Sequence, residues 1–268
     1  MPLRKRRTRR RHQLQVTHQP IYLSRLPADF AGLRIVQLSD IHHGLYTRLE
    51  EVEKAVALAN RLEPDLVVLT GDFVSNSRHY IAPVARALGA LQPPLGAFAV
   101  LGNHDYRVGA ERVATALERH AIRVLRNQHV RLCRNGSSLI LAGVDDFNYG
   151  EDNLRLALRA AEPDSPWVLL SHNPAILPQA AASGVDLVLA GHTHGGQVVL
   201  PRLRSFRRPG KLRFRHGWGQ VGSTQIFISR GIGTVVLPLR VQCPAEIPLL
   251  RLHASPGLGS AQGNGPGG

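Results

Sequence analysis

The sequence is poor in cysteine and has no long apolar run. Its 268 residues include two cysteines, Cys133 and Cys243, which are too few for a disulfide framework and lack the spacing of a zinc site. No run of 18 apolar residues occurs, and no apolar signal core follows the basic N-terminus, so neither a transmembrane helix nor a signal peptide is predicted. We therefore expect a cytoplasmic protein, either free or peripheral at the inner face of the cell membrane.

Acidic residues are absent from the two most basic segments. Residues 1–12 and residues 201–216 each hold seven Lys or Arg and no Asp or Glu, within a formal net charge of +14. The rest of the chain contains 19 basic and 19 acidic residues and is therefore neutral by count. A protein that coats nucleic acid carries its basic residues along one working face, so nucleic acid is not expected as a partner. A solvated tail is the default interpretation of residues 1–12, and an anionic membrane surface is the next candidate partner for both segments.

The remaining composition predicts one large folded domain. Hydrophobic residues make up 43% of the chain, enough for a full core. From residue 33 onward, apolar strand-like runs alternate with segments of helical spacing, which is typical of an α/β protein. We expect a basic N-terminal segment over residues 1–28, a single domain over residues 29–253 and a disordered Gly-rich tail over residues 254–268.

Polar side chains follow five of the predicted strands at the points where the strands end. They are Asp40 and His42, Asp72, Asn103 and His104, His172, and His192 with His194. Because the carboxyl ends of parallel strands meet at one edge of a sheet, we expect these side chains along a single rim. Carboxylate, amide oxygen and imidazole ligands suit Mn, Fe, Zn, Co or Ni. Seven or eight such ligands are too many for one ion with open positions, so we expect two divalent ions that share a carboxylate, as in enzymes acting at phosphorus.

In order and spacing, these residues resemble the five motifs of the calcineurin-like metallophosphoesterases. The motifs are Asp40-Ile41-His42, Gly71-Asp72, Gly102-Asn103-His104-Asp105, His172 and Gly191-His192-Thr193-His194. The resemblance spans residues 34–253. The sequence around the motifs is similar to that of a bacterial, membrane-associated branch that includes UDP-diacylglucosamine hydrolases. It implies a four-layer α/β/β/α sandwich with two mixed β-sheets.

The resemblance also implies a role for each residue. One metal takes Asp40, His42 and His194, Asp72 bridges, and the second metal takes Asn103, His172 and His192. Mn is the expected metal, with Mg as a further option, and a hydroxide bridging the two ions is the expected nucleophile. His104 is the candidate general acid. Ser75 stands where many members have an Asp that orients this histidine, which leaves Asp105 and Asp146 as candidates for that task.

Contacts with the substrate are predicted less sharply. Arg230 is a candidate for a bidentate contact with phosphate, although a solvated turn residue fits equally, and His43 either lines the cleft or lies on the surface. The sequence lacks the motifs GDxVDRG and GNHE, which are typical of protein Ser/Thr phosphatases. Their absence favours a small or lipid-linked phosphodiester or pyrophosphate as the substrate, such as UDP-diacylglucosamine. The alternative is a basic protein that binds membrane or nucleic acid on this scaffold with little catalysis.

Overall fold

A computed structural model of the chain describes residues 14–199 and 215–255. Residues 1–12, most of the second basic segment and the Gly-rich end after residue 255 lie outside the described residues. Two six-stranded sheets form the centre of the described part.

The first sheet combines strands from both ends of the chain. In spatial order it contains β1 (Gln15–Leu23), β12 (Glu246–Ala254), β2 (Arg34–Leu38), β3 (Leu66–Thr70), β4 (Ala97–Val100) and β5 (Ile122–Val124). Strands β2 to β5 are parallel to one another, whereas β12 runs antiparallel to β2. All five residues of β3 are buried, as expected for a strand covered on both faces.

The second sheet has the same plan, with parallel strands in the middle. In spatial order it contains β10 (Gly217–Val221), β11 (Thr224–Ile228), β9 (Leu187–Ala190), β8 (Trp167–Leu170), β7 (Ser137–Gly143) and β6 (Gln128–Arg134). Strands β11, β9, β8 and β7 are parallel, and the edge strands β10 and β6 are antiparallel to their neighbours.

Helices cover the outer face of each sheet. They are α1 (Leu49–Arg61), α2 (Ile81–Leu88), α3 (Asn103–Val108), α4 (Ala110–Glu118), α5 (Leu154–Ala157) and α6 (Leu177–Ala182). Apolar side chains of α1, α2 and α4 pack on the first sheet, those of α5 and α6 pack on the second, and a third apolar layer fills the space between the sheets. The predicted four-layer α/β/β/α sandwich with two mixed sheets is confirmed.

One strand lies in the segment that the sequence assigned to the basic N-terminus. Strand β1 pairs in parallel with β12 along its whole length, and its Ile21 and Leu23 are buried in the layer between the sheets. The folded domain therefore begins before residue 29.

The ends of the strands place the candidate residues. Strands β2, β3 and β4 of the first sheet and β8 and β9 of the second end immediately before the five polar motifs. The carboxyl ends of both sheets therefore face one rim. Within residues 14–199 and 215–255, no helix is long and apolar enough to cross a bilayer.

Candidate metal centre

Asp72 lies at the centre of the rim and contacts both sheets. Its carboxylate Oδ2 is 3.3 Å from Nε2 of His42, which follows β2, and 3.3 Å from Nε2 of His172, which follows β8. All three side chains are buried. One carboxylate oxygen thus faces two imidazole nitrogens at equal distance, which is the geometry of an atom that two cations can share.

Further imidazoles lie on either side of Asp72. His194 Nε2 is 3.0 Å from His42 Nε2 and 3.3 Å from Asp40 Oδ1. On the other side, His192 Nδ1 is 3.1 Å from His172 Nε2. The structure therefore brings together six of the seven predicted metal ligands through direct contacts.

The seventh, Asn103, begins α3 directly after β4. Its Oδ1 accepts a hydrogen bond from Asn148 Nδ2 at 3.4 Å. Asn148 in turn accepts one from Asn173, next to His172 in the sequence, at 2.9 Å. Asn103 is thereby tied to the loop that follows β8.

The backbone at the predicted ligands adopts conformations that side chains rarely take. Five of these residues have φ values between 48° and 71°, namely Asp40, His42, Asp72, His192 and His194. Each such residue costs on the order of 1–3 kcal/mol unless its surroundings fix it, and residues of this kind cluster at active sites. The fold therefore holds these side chains in place at the expense of stability.

Two glycines allow the loops to approach the carboxylates. A Cβ on Gly102 would lie 2.3 Å from Asp72 Oδ1, and one on Gly191 would lie 2.4 Å from Asp40 Oδ2. Neither distance is compatible with a side chain, so close backbone approach requires glycine at both positions.

Hydrogen bonds orient the ligand side chains. His172 Nδ1 donates to the carbonyl of Thr70 at 2.8 Å, which leaves Nε2 free to bind a metal. The Asp40 carboxylate accepts the Ser39 hydroxyl at 2.6 Å and the His192 amide at 3.0 Å. These contacts fix the atoms that face the centre.

Buried groups at the centre shift one another's pKa values. Burial alone raises the pKa of Asp72, yet attraction to His172 and hydrogen bonds with His172 and His42 hold that pKa well below its usual range. Burial lowers the pKa of His172, but Asp72 and Asp40 outweigh it and raise that pKa to about 10. The two carboxylates therefore stabilise a positive charge at the centre, and a bound cation would supply such a charge.

The donor set fits divalent metal ions. Three overlapping groups of ligand atoms have all members within 4.8 Å of one another, namely Asp40, His42 and His194; His42, Asp72 and His104; and Asp40, Asp72 and His172. Burial lowers the pKa of His194 to about 4, so its imidazole is neutral, the form that binds metal. Carboxylates and neutral imidazoles together are ligands of divalent metals.

His104 is oriented by a backbone carbonyl instead of a carboxylate. Its Nδ1 donates to the carbonyl oxygen of Ser75 at 2.5 Å, and its ring lies edge-on to that of His42 at 4.7 Å. The two acids considered from the sequence face elsewhere. Asp105 accepts backbone amides of Asp72 and Gly102 at 2.8 and 3.0 Å, and Asp146 accepts that of Tyr149. Neither carboxylate therefore orients His104, and the backbone carbonyl of Ser75 does so instead.

The two weaker candidates already have partners. Arg230 donates from Nε and Nη2 to Glu246 Oε2 at 2.9 and 2.7 Å, so a phosphate would have to share this guanidinium. His43 is buried, donates from Nδ1 to the Thr47 carbonyl at 3.0 Å and packs against Tyr80. Their contact with substrate stays a prediction.

Sequence reasoning missed Arg240, which braces the site. Its side chain is 7% exposed and donates to the backbone carbonyls of Arg230, Gly231 and Gly233 at 2.8, 3.1 and 2.5 Å. That loop in turn donates from the Gly233 amide to the Asp40 carbonyl at 2.8 Å. An isolated arginine within the apolar run VVLPLRV was the signal that could have found it.

Known proteins share both the sequence and the fold. A family model described as calcineurin-like phosphoesterase matches residues 33–196. The chain is 33% identical to the uncharacterized metallophosphoesterase YkuE of Bacillus subtilis, over 91% of this chain and 87% of YkuE. It is 32% identical to a bovine transmembrane protein with metallophosphoesterase domain, over 90% of this chain and 57% of that protein.

Solved structures show the same fold at low identity. The sulfate thiohydrolase SoxB of Thermus thermophilus superposes with a TM-score of 0.52 and 16% identity, over 84% of this chain and 57% of SoxB. The NAD nucleotidase NadN of Haemophilus influenzae gives a TM-score of 0.52 and 16% identity, over 75% of this chain and 46% of NadN.

Proposed function

We propose, from the premise that this chain belongs to the calcineurin-like phosphoesterase family and is a metal-dependent phosphoesterase, that it hydrolyses a phosphodiester or pyrophosphate bond with two divalent ions. The observation that carries this proposal is the position of Asp72 Oδ2, 3.3 Å from the imidazole nitrogens of both His42 and His172. A single oxygen between two sets of ligands suits a pair of ions that share it.

The proposed ligands divide between the two ions. One ion would be held by Asp40, His42 and His194 and the other by Asn103, His172 and His192, with the Asp72 carboxylate available to both. Mn is the metal we expect, with Fe, Zn, Co, Ni or Mg as substitutes. When bound, such ions supply Lewis-acid polarisation of the phosphoryl oxygens and a water that loses its proton near neutral pH.

His104 is the proposed general acid. Because the Nδ1–H group donates its hydrogen bond to the Ser75 carbonyl, Nε2 is the ring atom left for the substrate. In the proposed step water forms a new bond to phosphorus and loses a proton to solvent, while His104 in its doubly protonated form passes the Nε2 proton to the leaving oxygen as that oxygen's bond to phosphorus breaks. Such general-acid catalysis would accelerate the reaction by roughly 10²- to 10⁴-fold. The backbone amide of His104 donates to Asp72 Oδ1 at 2.8 Å, so the acid and the shared carboxylate are held in one geometry.

A lipid-linked substrate at an anionic membrane surface, such as a UDP-diacylglucosamine-like molecule, is the proposed natural setting. The basic segments 1–12 and 201–216 support it through their charge. The bovine relative supports it through its description as a transmembrane protein that carries this type of domain.

A substrate panel tests the proposal. Metal-free protein is reconstituted with Mn²⁺, its metal content is counted, and its rates are measured on phosphomonoesters, nucleotide diesters, cyclic nucleotides and UDP-sugar lipids. We expect two ions per chain and the highest kcat/KM on a diester or pyrophosphate. A preference for monoesters would contradict the proposed bond class. Metal-loaded protein that cleaves none of them would favour the alternative, a basic binding protein on this scaffold.

A further inference from the structure

An exposed apolar loop projects from the protein next to the metal centre. Residues 235–239 read VVLPL, and the most exposed side chains are Val236 at 81%, Leu237 at 55% and Leu239 at 47%. Thr234 and Arg240, which flank the loop, are buried. The apolar side chains therefore extend outward from two fixed ends.

The loop is held in this shape by Gln197, three residues after His194. The side-chain amide of Gln197 donates to the carbonyls of Val235 and Leu237 at 3.1 and 2.8 Å, and its oxygen accepts the Val235 amide at 2.9 Å. Val236 has a φ of 63°, which is rare for a β-branched residue. The backbone is thus fixed in a costly conformation while the large side chains stay in solvent.

A second apolar turn is rooted at the same place. Leu45 and Tyr46, at 77% and 47% exposure, form the tip of a turn that the Gly44 amide closes on the Thr47 carbonyl at 3.0 Å. At its base, a Cβ on Gly233 would lie 2.9 Å from Thr47 Oγ1. We call the exposed side chains of both loops the apolar rim, which consists of Leu45, Tyr46, Val236, Leu237 and Leu239.

We propose that the apolar rim inserts into the surface of an anionic lipid bilayer and so brings the metal centre to the membrane. Large exposed apolar side chains grouped at one site mark an interaction surface, and shallow insertion of such side chains combined with basic charge is how peripheral proteins bind bilayers. This inference would place the proposed reaction at the membrane surface. It rests on the proposed function only in assuming that the substrate is linked to a lipid.

Charge favours a bilayer over a second copy of the chain. Each molecule carries a formal net charge of +14, so two copies repel one another whereas anionic lipid attracts both. The described end of the second basic segment, Arg215, accepts a hydrogen bond from Thr193, one residue before His194. That end of the segment therefore joins the fold beside the metal centre.

Vesicle sedimentation tests the inference. Full-length protein is mixed with vesicles of phosphatidylglycerol and phosphatidylcholine in equal parts, or of phosphatidylcholine alone. For the double variant Val236→Ser and Leu237→Ser we expect at least about tenfold weaker binding to the anionic vesicles, because two inserted apolar side chains are lost. The matched control, Leu156→Ser and Val221→Ser, removes two side chains with 48% and 40% exposure elsewhere on the surface, and its binding should equal that of the wild type.

Hydrolysis of a soluble chromogenic diester serves as the folding control. It should be unchanged in both double variants, because neither alters the metal centre. Equal vesicle binding by the two double variants would overturn the inference. A change in oligomeric state instead, seen by light scattering, would also overturn it and identify a second copy as the occupant.

A fluorescence probe separates insertion from simple charge attraction. We expect the emission of Leu237→Trp to shift to shorter wavelength on anionic vesicles and to be quenched by brominated lipid, while that of Leu156→Trp changes little. Sedimentation of Leu237→Trp without a shift would show binding by charge alone and contradict insertion. Insertion without hydrolysis of any phosphoester would support the rim and count against the proposed function, so the two failures are distinguishable.

Discussion

The two sides of the metal centre differ in burial and in what holds them. Asp40, His42 and His194 are at most 5% exposed, and we call them the buried side. Asn103, His104 and His192 are only partly buried, and we call them the open side, although His172 beside them is buried. The buried side is braced through the loop that Arg240 holds, whereas Asn103 and His104 of the open side lie in the first turn of the six-residue helix α3.

This difference indicates a division of labour. Packed backbone fixes the buried side, so its task is to hold a cation. The open side leaves room for a substrate and carries the candidate acid, His104. Asp72 joins the two sides, and substitutions on each side should therefore fail in different ways.

The largest effect is expected where the two sides meet. Asp72→Asn removes the negative charge that both sides share, so metal content and kcat/KM should fall together, the latter by roughly a thousandfold or more, given the several kcal/mol that metal ions supply. Metal analysis and a chromogenic phosphodiester assay measure both. Asp164→Asn, an exposed carboxylate elsewhere, is the matched control, and normal metal content in Asp72→Asn would contradict the shared role.

On the open side, His104→Ala should separate binding from turnover. The proposed acid is lost while all seven proposed metal ligands remain, so we expect kcat to fall by roughly 10²- to 10⁴-fold with little change in metal content. His79→Ala, at an exposed histidine, should behave as the wild type. A full rate in His104→Ala would rule out the assignment of the general acid.

On the buried side, Arg240→Met should weaken one ion selectively. The loop over Asp40 loses its hydrogen bonds, and loss of such supporting contacts costs about 10- to 100-fold in metal affinity. Calorimetric titration with Mn²⁺ should show one weakened site and one site of unchanged affinity, with Arg251→Met on the exposed face of β12 as the control. Equal weakening of both sites would show that Arg240 only supports the fold.

The smallest effect is expected at Ser75, which orients His104 through its backbone. Ser75→Ala removes only the hydroxyl that donates to the His42 carbonyl at 2.9 Å, a bond worth about 0.5–1.5 kcal/mol. We expect kcat within about threefold of the wild type. A loss as large as that in His104→Ala would mean that the serine side chain itself acts in catalysis.

The strand ends were predictable because each motif follows a continuous apolar run. Such runs predict buried parallel strands, and parallel strands bring their carboxyl ends to one edge. The position of Asp72 between two sets of ligands was implied by the family resemblance. The sandwich itself was inferred from the family resemblance.

Long-range contacts explain what the sequence did not reveal. Strand β1 contains Pro20 and several polar residues, and it is stabilised by pairing with β12 more than 200 residues away. The contact between His104 and the Ser75 carbonyl involves a backbone atom, so the residue type at position 75 could not predict it.

The central claim, that Asp72 joins two cations, is tested most directly by electron paramagnetic resonance of the protein loaded with Mn²⁺. Two ions that share the Asp72 carboxylate at roughly 3.5–4 Å should give an exchange-coupled spectrum at two equivalents of metal, and Asp72→Asn should lose it. A spectrum of isolated Mn²⁺ at full loading, or binding of less than one ion per chain, would contradict the account.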